Sequence, residues 1–134
     1  LAGERALYVG ITAYVRDPAT LVRRMARRDE IPASDRVVVE IGSPADRRTA
    51  YSFGVTLAGV QHDVLLYDDT SEDASWDAVW ESAVARLPEG GYSVEIRIPY
   101  GQLRYEARSD EPWDLQFQRD IAATGEILYW APVL

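Results

Sequence analysis

Six acidic side chains, Asp63, Asp68, Asp69, Glu72, Asp73 and Asp77, crowd one stretch of the chain. Carboxylates are the hard oxygen donors that calcium prefers, and Asp68, Asp69 and Asp73 are the candidate ligands. The stretch has neither the glycine bend nor the closing glutamate of a helix–loop–helix calcium loop, and a solvated acidic loop accounts for the same residues. Trp76 and Trp80 stand four positions apart, so they share a face in a strand or in a helix. Two flat rings on one face can cover the apolar C–H face of a pyranose ring. Trp113, Trp130 and Tyr92 are further stacking candidates; the competing reading for every one of these rings is a plug beneath the sheets.

Other chemistries find less support. Met25 and His62 are the sole methionine and histidine, the pair of types that can ligate a b-type haem. A core-filling Met25 and a hydrogen-bonded His62 explain both residues without haem. No Gly-x-Ser-x-Gly elbow accompanies His62, and no glycine-rich phosphate loop is present. Paired carboxylates of the glycosidase type cannot be located from a sequence this rich in acids. Enzymatic activity within this chain is not expected.

The elements that must position these residues are mostly strands. Leu7, Val9, Ile11 and Val15 alternate with Tyr8, Thr12 and Tyr14, which predicts a strand with one buried face. Asp17-Pro18 supplies a cap and a first helical position, and Leu21, Val22 and Met25 follow at helical spacing, predicting one short helix near residues 18–26. A β-branched run, 36–41, predicts a buried strand. Residues 51–57 and 60–67 predict a hairpin turning at Ala58-Gly59. Residues 77–87 are read as a strand partnering 92–98, while Tyr100 to Leu103 is expected to form one helical turn. Residues 113–118 and 126–130 predict the last two strands. About eight strands with a single helix point to an all-β antiparallel sandwich, not to a parallel sheet with helical crossovers.

Composition bounds the rest. A chain of 134 residues suits one domain spanning 1–134. Its net charge of −8 argues against a nucleic-acid partner, and no apolar run is long enough for a membrane helix. Arg23, Arg24, Arg27, Arg28, Arg47 and Arg48 are expected to form ion pairs within the fold or with a neighbouring domain.

Seven blocks in order carry a resemblance: Ala6-Leu-Tyr-Val-Gly10; Arg28-Asp29; Asp46-Arg47-Arg48 with Tyr51-Ser-Phe-Gly-Val55; Gly59-Val-Gln61; Ser75-Trp-Asp-Ala-Val-Trp-Glu81; Glu95-Ile-Arg-Ile-Pro99 with Leu103-Arg104; and Tyr129-Trp-Ala-Pro132. Together they resemble the family-9-like carbohydrate-binding domain of the DOMON-like superfamily, of the kind found before outer-membrane β-barrels in Gram-negative bacteria. Two departures are the absence of the family's opening strands, which suggests a fragment of a larger protein, and Tyr92 where tryptophan is usual. The resemblance implies a non-catalytic module that binds an oligosaccharide or polysaccharide by aromatic stacking, within a polypeptide of carbohydrate catabolism. It further implies a periplasmic or outer-membrane-associated setting. The alternative is a structural domain docked on a C-terminal β-barrel of the same chain or on a sister domain. A haem or electron-transfer role stands behind both.

Overall fold

The computed structural model describes residues 5–30, 33–42, 48–67, 71–103 and 112–131. Among them run nine strands: β1 (Ala6–Ala13), β2 (Arg36–Gly42), β3 (Ala50–Thr56), β4 (Gln61–Tyr67), β5 (Ser71–Asp73), β6 (Glu81–Arg86), β7 (Tyr92–Pro99), β8 (Asp114–Ile121) and β9 (Glu126–Tyr129). Every pairing is antiparallel. One sheet has three strands in the order β1-β7-β6, and the other has six in the order β5-β4-β3-β2-β8-β9. The expected all-β sandwich is the observed fold.

Alternation builds the core. Tyr92, Val94, Ile96 and Ile98 point inward from β7 and meet Val37, Val39 and Ile41 of β2 and Tyr51, Phe53 and Val55 of β3. Burial of these β-branched and aromatic side chains between two sheets is the main driving force for the fold. Three strands cannot cover six. The smaller sheet lies over part of the larger one, and inward-facing groups of β8 and β9, Leu115 and Leu128, stay substantially exposed. That overhang shapes the candidate site.

The short helix expected at 18–26 contracts to a 3-10 turn at Pro18–Thr20, capped by the Asp17 carboxylate, which accepts from Ala19 N–H at 3.0 Å. The helical spacing beyond it loses to tertiary bonds. Val22 N–H donates to the Asp35 carboxylate, Arg24 N–H donates to Ser34 Oγ, and the Val22 carbonyl accepts from Asp35 N–H and Ser34 Oγ. Ser34 and Asp35 are both buried, so these bonds are strong competitors for backbone groups that a helix would need. Part of the predicted acidic loop is also ordered differently: Ser71–Asp73 pairs with Leu65–Tyr67 as β5.

Candidate functional site

The sandwich assigns the aromatic residues to different places. Tyr92 is 0% exposed in the core, where burial pushes its phenol up to about 12. Trp80 is 6% exposed, with its ring edge-on to Phe53 at 5.2 Å. Trp76 packs partly buried on Tyr51 at 5.3 Å and on Phe53 at 5.8 Å. Trp76 and Trp80 do share a face, but that face is the interior. Trp113 is partly buried against the same core. Tyr92 and Trp80 are therefore corrected from stacking candidates to core residues: a ring with no exposed face has none to offer a ligand.

Trp130 differs from the others, at 71% exposed. Its backbone N–H donates to the Phe117 carbonyl at 2.9 Å, and its ring meets Phe117 edge-on at 5.6 Å. The next residue is clamped from both sides: Gln116 Nε2 donates to the Ala131 carbonyl at 2.9 Å, and Ala131 N–H donates to Gln116 Oε1 at 3.0 Å. An exposed indole on a backbone held this firmly is a preformed platform, which lowers the ordering cost of binding. It borders a cleft of about 250 Å3 where the β1 edge overhangs β8 and β9, with Ile11, Phe117 and Leu128 as apolar lining and Thr12, Gln118 and Arg119 as polar lining. Arg119 Nη1 donates to the Tyr14 carbonyl at 3.0 Å, tying β8 to the chain that leaves β1. The cleft is smaller than the ~300–1,000 Å3 pocket of a drug-sized ligand and suits one ring lying on a shelf.

The acidic candidates also separate. Asp68 and Asp69 lie outside the described residues. Asp73 closes a local turn, its Oδ1 accepting from Ser75 N–H at 2.9 Å and from Ser75 Oγ. The three carboxylates that do converge are Asp29, Asp63 and Asp77, with ligand atoms within 4.8 Å of one another. Arg28 already supplies a cation there, with Nη2 2.8 Å from Asp63 and Nη1 2.8 Å from Asp77. Asp63 Oδ2 further accepts from Ala78 N–H and Trp80 Nε1–H, both at 3.0 Å. These donors favour the charged carboxylate, yet burial prevails and holds Asp63 above the usual range. The arrangement ties Arg28, β4 and the tryptophan segment together as a structural ion network.

His62 is buried on the opposite face of the six-stranded sheet, with Nε2 3.0 Å from the Arg36 guanidinium. Burial and then the Arg36 charge lower its pKa to about 4. Met25 is 71% exposed on an irregular segment. A ring nitrogen set against a guanidinium and an exposed thioether do not fit an axial haem pair.

Sequence reasoning missed the outward face of the six-stranded sheet. Glu40, Ser52, Gln118 and His62 border a recess of about 170 Å3 on that face. A second recess of about 310 Å3 adjoins it, bordered by Glu40, Arg48, Ala50, Tyr67 and Asp114. The available signal was the outward parity of β3, Ala50, Ser52, Gly54 and Thr56, in which every side chain is small.

No protein-family model matches this sequence, and no curated protein matches it. Solved structures do share the fold. One is a candidate carbohydrate-binding protein from Bacteroides uniformis ATCC 8492, with TM-score 0.67 and 16% identity, covering 96% of this chain and 64% of that one. Another is a carbohydrate-binding module of family 9 from Caldicellulosiruptor kristjanssonii, solved with glucose, with TM-score 0.56 and 20% identity, covering 87% of this chain and 54% of that one. The chain thus has the sandwich fold seen in carbohydrate-binding modules, and it spans less than two thirds of the length of either neighbour.

Proposed function

We propose that this domain is a non-catalytic glycan-binding module whose stacking platform is Trp130. The observation that carries the reading is one exposed, rigidly held indole beside a ring-sized cleft, in a fold shared with carbohydrate-binding proteins. The indole covers the C–H face of a sugar, while the Arg119 guanidinium, on the inward parity of β8, offers a donor for its hydroxyl groups. Titration of the domain with glucose and with linear β-1,4-, β-1,3- and α-1,4-glucans, followed by tryptophan fluorescence, tests this. Binding is expected, and Trp130→Ala removes it while the fold remains intact by circular dichroism. Binding that survives Trp130→Ala contradicts the assignment.

A second reading draws on Ile127, Leu128, Tyr129 and Trp130, four successive exposed apolar residues on an edge strand and its exit. Contiguous apolar surface beside an open sheet edge is also what a docking face offers. On that reading the partner is a sister domain or a β-barrel of the same polypeptide, in an exported setting. No glucan then binds, and Trp130→Ala weakens the association of the domain with the rest of its polypeptide.

A further inference from the structure

Among the described residues three arginines are half-buried: Arg36, Arg97 and Arg119. Two of them have a carboxylate. Arg36 holds Asp120, and Arg97 Nη1 lies 3.6 Å from Glu81. Arg119 meets no carboxylate among the described residues, although the chain carries 22 acidic residues against 14 basic ones. Its Nη1 donates at 3.0 Å to the Tyr14 carbonyl, a neutral acceptor. Its Nε is sealed from solvent without a partner, and the neighbouring Tyr92 hydroxyl is buried and unpartnered too. A charge drawn out of water with only a neutral partner is costly to keep, since attraction to an anion is what ordinarily offsets the lost hydration.

The strand registers put that charge in the tryptophan cleft. Arg119 pairs with Leu128 across β8 and β9 and shares the inward parity of Phe117, whose carbonyl accepts from Trp130 N–H. Arg119 and Trp130 are therefore diagonal neighbours on one face of the sheet, positions about 7–8 Å apart. Both border the cleft, and no other described residue bordering it is charged. Asp35 and Asp120, the acids whose field reaches the Tyr92 phenol, are committed elsewhere. Asp35 Oδ1 accepts from Val22 N–H and Ala122 N–H, and Asp120 holds Arg36 on the outward face. The Tyr14 carbonyl fixes one arm of the Arg119 guanidinium, while Nη2 is not sealed and makes no hydrogen bond among the described residues. The cleft thus joins a flat apolar ring to a held cation that lacks a counter-ion.

We propose that the cleft recognises an acidic sugar: the pyranose ring of a uronate lies on the Trp130 indole, and its carboxylate serves as the counter-ion of Arg119. The proposal rests on the glycan reading of the cleft and names its ligand class. The carboxylate accepts a charge-assisted hydrogen bond from Nη2, and the arginine gains the anion that the fold does not supply. A neutral hexose makes the stacking contact but leaves the charge uncompensated, so it binds more weakly at the same place. The net charge of −8 opposes an anion at long range. That field is screened beyond about 8–10 Å in physiological salt, whereas the contact with Arg119 is made in a half-buried cleft where opposite charges attract more strongly.

Titration of the domain with the methyl glycosides of glucuronate and galacturonate, with their uncharged uronamides, and with those of glucose and galactose, followed by tryptophan fluorescence, tests the proposal. At least one uronate is expected to bind tenfold or more tighter than its uronamide, which has the same shape without the charge. Acetate at the same concentration does not displace it. Arg119→Gln brings the uronate down to the affinity of the uronamide, Arg119→Lys keeps part of the preference, and Trp130→Ala removes binding of both. The ratio of uronate to uronamide on the unaltered domain decides the question even where a variant fails to fold. Uronates that bind no tighter than their uronamides, a preference that survives Arg119→Gln, or displacement by acetate alone overturns the acidic-sugar assignment, while sugar binding that depends on Trp130 leaves the cleft standing. Absence of binding by every sugar overturns the cleft reading and the assignment with it.

Discussion

Asp63 and Glu40 sit on the same six-stranded sheet, both shielded from full contact with water, and they face opposite sides of it. Asp63 points into the sandwich, where one oxygen collects Arg28, Ala78 N–H and Trp80 Nε1–H. Glu40 points outward into the recesses of that face and has no hydrogen-bonding partner among the described residues. What distinguishes the two is that Asp63 anchors three donors through Oδ2 while buried to 1% exposure, whereas Glu40 holds no donor and stays partly accessible. Both are held above the ordinary carboxylate range by burial, with Glu72 adding to the effect at Glu40. Asp63 keeps one oxygen, Oδ1, without a partner but sealed from solvent, whereas Glu40 lies where solvent or a ligand can reach it.

The sharpest way to break this contrast is to delete each carboxylate. Asp63→Ala strands Arg28 and two N–H donors and is expected to cost about 3–5 kcal/mol, read by chemical denaturation, while Glu40→Ala stays within about 0.5 kcal/mol. Equal losses would refute the distinction.

The pH dependence of stability probes the outward face through His62. Its folded pKa, about 4, lies below the ordinary 6.5, so between these values the unfolded chain binds more protons. Stability is full above pH 6.5 and falls as the pH drops toward 4, by up to about 3 kcal/mol. His62→Gln should flatten that limb of the curve, and an unchanged slope would show that another group produces it.

Gly54 sharpens the same point from the other side of the ring. Gly54→Ala sets a methyl group against the buried imidazole and is expected to cost about 1–3 kcal/mol. Adding His62→Ala should recover part of that loss in a double-mutant cycle, and strict additivity would mean that the two residues do not meet.

The smallest expected effect is a gain. Because the folded pKa of Glu40 is raised, its contribution to stability is fully present below the unfolded pKa and is lost as pH rises through the folded one. Glu40→Gln should therefore stabilise the domain near pH 7 by up to about 0.5 kcal/mol, with the gain fading in acid.

Much of this fold is legible in alternation. The β1, β7 and β8 patterns each have period two, β2 is readable as a β-branched run, and the hairpin from Tyr51 to Tyr67 turns where Ala58-Gly59 predicts it. The helix near 18–26 misled because helical spacing is a local signal, whereas Asp35 and Ser34, distant in sequence, claim the same backbone groups. The site was half legible. Trp130 is readable as an aromatic on the last predicted strand, but its exposure depends on a three-stranded sheet failing to cover a six-stranded one, which only the pairing order reveals. Trp76 and Trp80 have the right spacing for a platform, yet spacing does not say which side of a sheet is water. Glu40 and Gln118 become neighbours of one recess only through the registers of β2 with β3 and β8.

The four indole N–H groups give separate resonances, and substitution of each tryptophan by phenylalanine assigns them. Adding the tightest-binding glucan to the labelled domain and following those signals asks which ring meets the ligand. The Trp130 indole is expected to shift with saturation while those of Trp76, Trp80 and Trp113 hold still. A saturating shift at Trp76 or Trp80 with Trp130 unmoved would contradict the account.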